Sequence, residues 1–161
     1  MDYYSGISRG YDELYGEEQK KKFEILKRNL KLEGLVLDVG AGTGLINGDF
    51  IRIEPSFAMI EKAKGMRACG VAENLPFKSN VFDCVISLTA LHHTDIKKSV
   101  KEIKRVLKKK GRIGISLLKK SKNFEKEAEE IKNNFKVKEI DEGKDLLLFT
   151  QKESLKERIY K

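Results

Sequence analysis

Residues 34–56 read GLVLDVGAGTGLINGDFIRIEPS, and no other stretch limits the fold as tightly. Two short apolar runs, LVLDV at 35–39 and FIRIE at 50–54, have the length and character of buried strands. Between them stand three glycines at alternate positions, Gly40, Gly42 and Gly44, and an Asn47–Gly48 turn signal. Glycine lets backbone approach a ligand closely and adopt positive φ. Parallel neighbouring strands normally need a connection of about a dozen residues or more, usually a helix. The gap leaves room for at most one helical turn. The spacing therefore predicts a shortened first crossover with an exposed sheet face beside it, the kind of surface that marks a partner site.

The rest of the chain alternates between helical and strand patterns. EEQKKKFEILKRNLKLEG (17–34) sets Phe23, Leu26 and Leu30 at helical spacing, with Gly34 as the stop. Pro55 and Ser56 open a helix that Gly65 closes. A weak strand at 66–72 and a strong one at 81–88 flank a loop marked by Pro76 and Asn80. The clearest helix is 95–111, with Asp95 as cap, a stripe of Ile96, Val100, Ile103 and Leu107, and Gly111 at its end. A strand at 112–118, a helix at 121–135 capped by Ser121, and two antiparallel strands at 136–141 and 145–153 complete the order. Such alternation predicts one α/β domain over 1–161, with a mostly parallel sheet and its ligand at the carboxyl ends of the strands.

Composition narrows the class. No run reaches the ~18 apolar residues of a membrane span. The start, MDYYSGISRGYDELYGEE, is polar and acidic rather than a secretory leader. Cys69 and Cys84 have no metal-ligand spacing. We expect a soluble, cytoplasmic protein with two buried, reduced thiols and no metal. The net charge of +8 arises entirely beyond residue 100. That asymmetry points either to an anionic partner or to a heat-adapted surface, since Lys and Glu abound, Trp is absent and glutamine occurs only at Gln19 and Gln151.

The glycine spacing separates ligand classes. A dinucleotide site reads G-x-G-x-x-G, opens a helix toward the pyrophosphate, and places an acidic residue about 20 positions on. Here the spacing is G-x-G-x-G, and Glu54 follows Gly44 closely. No P-loop lysine is present. A ligand with a ribose and an amino-acid end, but no pyrophosphate, fits better. Glu54 can accept from ribose hydroxyls, and Asp38 is negative where an ammonium could sit. S-adenosylmethionine (SAM) has both groups.

DVGAGTG, IEPSFAMIEKAK, VAENLPFKSNVFDCVISLTALHH and IKRVLKKKGRIGIS follow one another from about Tyr11 to Ser116. This ordered series resembles the class I SAM-dependent methyltransferases, in particular the ubiquinone/menaquinone-biosynthesis-like, type 11 subgroup. The resemblance implies a Rossmann-like, seven-stranded sheet with one antiparallel strand, and SAM as cofactor with S-adenosylhomocysteine as product; the shortened first crossover helix is where this chain departs from the family. It further implies that Gly40, Ala41, Gly42 and Gly44 wrap the methionine end, Asp38 balances the ammonium, and Glu54, with Pro55 beside it, holds the ribose. Ala72 and Glu73 would line the adenine edge and Leu88 would lie under the sulfonium. Met59 would sit near the adenine or simply fill the core of its helix. Tyr11, within an N-terminal segment over 1–33, would fold over the cofactor as a lid or pack on the surface. Many relatives carry an aspartate where this chain has Val71, so adenine would be read by backbone and apolar contact.

Methyl transfer needs alignment more than a dedicated base, and no catalytic constellation stands out. His92 and His93 are the candidates near the reacting methyl, as a base, as hydrogen-bonders to the acceptor, or in neither role; an adjacent pair is not a metal site. Lys97, Lys101, Lys104, Arg105 and Lys108 form a basic stripe that could track an RNA backbone or be a solvated face. The segment 119–144 has no room for a substrate-capping subdomain, so the pocket should be open. The sequence thus points to methylation of an RNA, tRNA-like, or of a translation-related protein. A small activator subunit over the short-crossover face is the expected partner. A small-molecule methyltransferase with an open pocket and a non-catalytic SAM-binding scaffold subunit that needs a partner remain as alternatives.

Overall fold

The computed structural model describes residues 10–151. Helix α1 (Tyr11–Asn29) leads into β1 (Val36–Val39) and β2 (Phe50–Glu54). A single turn, α2 (Phe57–Ile60), precedes β3 (Arg67–Cys69), and β4 (Phe82–Leu88) runs into a 3₁₀ turn, Leu91–His93. Helix α3 (Ile96–Val106), β5 (Leu107–Leu118), α4 (Phe124–Asn134), β6 (Lys138–Asp141) and β7 (Asp145–Phe149) follow. Among the described residues the strands form one seven-stranded sheet in the order β3-β2-β1-β4-β5-β7-β6. Pairing is parallel from β3 through β5, while β7 runs antiparallel to both β5 and β6. Only β7 is thus reversed, as the alternation and the resemblance imply.

Side chains alternate across a strand, and each face of this sheet gathers its own core. Leu37, Val39, Ile53, Val85, Ile113, Ile115 and Leu117 meet Val100, Ile103 and Val106 of α3 and Ala128 and Ile131 of α4. On the opposite face Val36, Phe50, Cys84, Ile86, Leu88, Leu147 and Phe149 meet Phe23, Leu26 and Leu30 of α1.

That second core corrects one expectation. The sheet face beside the short crossover is not exposed, because Ile46 and Phe50 are buried and Phe23 of α1 packs edge-on against Phe50, with ring centroids 5.8 Å apart. The activator's expected landing face is therefore occupied by the chain's own N-terminal helix.

Element ends differ from the sequence pattern for local reasons. Helix α1 starts at Tyr11, six residues before the first expected position; Asp12 and Glu13 suit its first turn and Lys27 and Arg28 its last. After Ile60 the hydrogen bonds change to the i−3 type, Lys62 to Met59 and Ala63 to Ile60, so no full helix reaches Gly65. Helix α3 stops at Val106 rather than Gly111, since Leu107 turns extended and pairs with Phe82 in the sheet. Asp95 does cap α3, accepting from Lys98 N at 3.3 Å. Ser121 is no cap; its hydroxyl donates to Glu127 Oε1 at 3.0 Å, and α4 begins after Asn123. Cys84 is buried, and burial pushes its thiol up to about 12, but Cys69 is exposed on β3.

Candidate functional site

The glycine loop curls over the carboxyl end of β2. Gly40 N and Ala41 N both donate to Ile53 O, at 2.8 and 3.0 Å. Gly42 N donates to Glu54 Oε2 at 3.0 Å, and Ser56 N donates to Glu54 Oε1 at 3.0 Å. Glu54 is thereby pinned between the loop and the start of α2. Gly40 has φ +71, and a Cβ there would stand 2.3 Å from the Ala90 methyl. The loop can approach the end of β4 only because the residue is glycine.

No helix spans residues 40–49. Arg52, buried on β2, does the work of one. Its guanidinium donates to Ile46 O at 3.0 Å and Gly48 O at 3.1 Å, satisfying crossover carbonyls that a helix would have satisfied internally, and to Lys64 O at 2.8 Å in the turn before β3.

A cavity of about 710 Å³ opens above the carboxyl ends of β1, β2 and β4. Of the expected ligands, Gly40, Gly42, Glu54, Pro55, Met59, Ala72, Glu73 and Leu88 line it, as do Val71 and His93. Asp38 and Ala41 line a smaller neighbouring cavity with Gln19. Gly44 lines neither; at φ +74 it packs against Ala63, whose methyl would lie 2.8 Å from an added Cβ, so its part is in the turn. The backbone of Tyr11 opens α1, while its side chain lies outside the described residues. Glu73 is partly engaged, its Oε1 accepting from Asp95 N at 2.9 Å.

The two histidine rings lie 3.8 Å apart between centroids, but their surroundings differ: His93 faces the large cavity, whereas His92 is half-buried and feels the charges of Asp145 and Lys22. Burial, then the neighbouring His93, push the His92 imidazolium down to about 4, so the ring is neutral at pH 7 and a weak base. The basic stripe divides too. Arg105 donates to Glu102 and to Phe77 O and Leu75 O, at 2.7 and 3.0 Å, which fastens the 75–77 loop. Lys108 pairs with Asp83 at 2.9 Å. Lys97, Lys101 and Lys104 stay exposed on α3.

Sequence reading missed the polar group beneath this site. Thr89, directly after β4, has φ +52, a strained setting for a β-branched residue. Its backbone N donates to Ser116 Oγ at 2.8 Å, its hydroxyl donates to Asp145 Oδ2 at 2.7 Å, and Lys22 Nζ donates to that hydroxyl at 3.0 Å. Lys22 and Asp145 are buried and 3.2 Å apart. The φ of Thr89 is a tertiary product; nothing local ties position 22 to position 145.

Asp38 is buried at the end of β1. Burial raises its carboxyl to about 7, opposed by the charge of Arg52. Its Oδ2 has no hydrogen-bond partner among the described residues. A cationic ligand group would satisfy that oxygen. With the glycine cradle and the pinned Glu54, the residues fit the ammonium, amino-acid backbone and ribose of SAM.

Residues 37–115 match the family described as "Methyltransferase domain". An uncharacterized protein of Methanocaldococcus jannaschii is 31% identical over 146 residues, covering 84% of this chain and 71% of the other. The chain spans about half the length of the curated relatives it matches first. A SAM-dependent methyltransferase from Thermotoga maritima has the same fold, with TM-score 0.75, 21% identity, and coverage of 93% of this chain and 98% of that one. A chain from a Haloferax volcanii complex of the Trm112 methyltransferase activator with a methyltransferase aligns with TM-score 0.66 and 21% identity, covering 73% of this chain and 61% of the other. The glycine cradle, the fold and the matched family agree: residues 37–115 form a methyltransferase domain, on the fold that SAM-dependent methyltransferases share.

Proposed function

We propose that this protein is a methyltransferase that binds SAM across the glycine loop and transfers its methyl group to an RNA or a translation-related protein. The observation that carries the reading is Glu54, fixed by Gly42 N and Ser56 N at the floor of the large cavity, with the unpartnered oxygen of Asp38 beyond the glycines. Glu54 holds the ribose, and the loop amides and Asp38 hold the amino-acid end. When bound, SAM supplies a methyl on a sulfonium, open to in-line displacement by the acceptor. Leu88 and Leu91 give that region an apolar wall, and Thr89, held from three sides, fixes the loop that carries His93. The position of His93 on the cavity wall supports it as the member of the pair that contacts the acceptor.

The open cavity and the exposed Lys97, Lys101 and Lys104 support a large, anionic acceptor. Asp95, at the head of the same helix, touches Glu73 of the cavity wall. The Haloferax complex supports an activator subunit. Its expected place here is the β3 edge of the sheet, which pairs with no further strand among the described residues and where Met66 and Val71 flank the strand and Phe57 is exposed on α2. The test is incorporation of labelled methyl from SAM into the RNA, protein and small-molecule fractions of an extract. Label in RNA or protein is expected. Label in small molecules alone assigns a metabolite methyltransferase, and tight SAM binding without incorporation assigns a scaffold subunit.

A further inference from the structure

Among the polar oxygens on the α1 face of the sheet that find no partner among the described residues, two share one cavity. Gln19 is 8% exposed and Asp38 2%. Gln19 Oε1 and Asp38 Oδ2 are both buried, and neither accepts a hydrogen bond from the described residues. Both line a cavity of about 30 Å³ that Gly40, Ala41, Ile46 and Leu88 help to close. The space suits one water-sized or ammonium-sized group. Buried acceptors without donors are destabilising, so a pair aimed into one small volume calls for a ligand. A carboxylate and an amide oxygen offer lone pairs, and the group that satisfies both is a donor with several hydrogens. Gly40 and Leu88 border both cavities, so a ligand in the larger one has a direct route into the smaller.

We propose that Gln19, from helix α1, is a cofactor-recognition residue that receives, together with Asp38, the primary ammonium at the amino-acid end of SAM. This rests on the cofactor reading above and adds the N-terminal helix to the binding site. Asp38 supplies the charge. Gln19 supplies a second acceptor without a second negative charge to repel it. Lys22, one turn further along α1, anchors that stretch of helix through Asp145 of β7 and Thr89 at the end of β4. Gln19 is thereby held over the end of β1 while the helix's apolar residues pack on the sheet.

The test is calorimetric titration of the wild type and of Gln19→Met with three nucleosides: SAM, decarboxylated SAM, which keeps the ammonium and lacks the carboxylate, and 5′-deoxy-5′-methylthioadenosine, which lacks both. Methionine keeps the length of the side chain and removes the acceptor. SAM and decarboxylated SAM are expected to bind the variant about 10-fold or more weakly, by the same factor, while methylthioadenosine is unchanged. The unliganded variant is expected to melt no lower than the wild type. Weakening of SAM alone would place Gln19 at the carboxylate and overturn the proposal. Equal weakening of all three, or a lower melting temperature with it, would assign a packing role and overturn it equally. A wild type that binds none of the three would remove the cofactor reading itself, and the proposal with it.

Discussion

The two faces of the sheet are built on different principles. The face under α3 and α4 is a mainly apolar core, with Leu37, Ile53, Val85, Ile113, Ile115 and Leu117 packed on Val100, Ile103 and Ile131, although the covering helices also bury Ser99 and Glu127. The face under α1 has an apolar centre but carries the buried charges Asp38, Arg52, Glu54 and Asp145 on its strands, with Lys22 and Gln19 opposite. Strand alternation puts Asp38 beside Val36, Arg52 and Glu54 beside Phe50, and Asp145 beside Leu147 on that one side. One side concentrates stability. The other concentrates polar groups that either brace one another or wait for a ligand, and it supplies Glu54 and Asp38 to the site, whose large cavity Val39, Ile53, Ala72 and Leu91 of the first core also line.

The largest effect expected from breaking this contrast comes from the polar side. Lys22→Met leaves Asp145 buried and uncompensated and should cost about 4 kcal/mol, read from the urea midpoint. Lys22→Met with Asp145→Leu removes both charges and should recover most of that loss, yet still bind SAM more weakly, because Thr89 loses two of its three restraints. On the apolar side, Ile103→Ala should cost about 3 kcal/mol through the cavity it leaves, with SAM affinity unchanged.

A pH titration sharpens the same contrast. The Asp38 carboxyl titrates at about 7 in the fold and at 3.8 in the unfolded chain. Between those values the unfolded chain gives up a proton that the fold retains, so stability falls as pH rises through the window and stays reduced above it. Asp38→Asn should therefore stabilise the unliganded protein by on the order of 2 kcal/mol at pH 8, with the gain fading toward pH 4, and should weaken SAM binding. The smallest effect is local: Asp95→Ala removes the α3 cap and should cost about 1 kcal/mol, seen as a small fall in melting temperature.

What the sequence disclosed follows the same division. The succession of strands and helices along the chain and the apolar core were legible, because period-2 and period-3.6 patterns report burial directly. The glycine loop and Glu54 were legible because glycine at the end of a strand has a specific backbone use. The brace of Lys22, Thr89, Ser116 and Asp145 was not, since it joins four distant segments whose local patterns differ in no way from surface residues. Gln19 read as one more polar position on an amphipathic helix. The same blindness produced the expectation of an exposed face. The short crossover was visible, but its covering by α1 and the capture of its carbonyls by Arg52 are tertiary facts. The end of α3 was misplaced because the helical stripe continues through Leu107, a residue the sheet claims.

The central claim is that the glycine loop, without a helix behind it, serves SAM and not a dinucleotide. Calorimetric titration of the purified protein with SAM, S-adenosylhomocysteine and NAD tests it most directly. One equivalent of SAM or S-adenosylhomocysteine is expected to bind and NAD is not, since residues 40–49 offer no helix N-terminus to a pyrophosphate. Binding of NAD, or of none of the three, would contradict it.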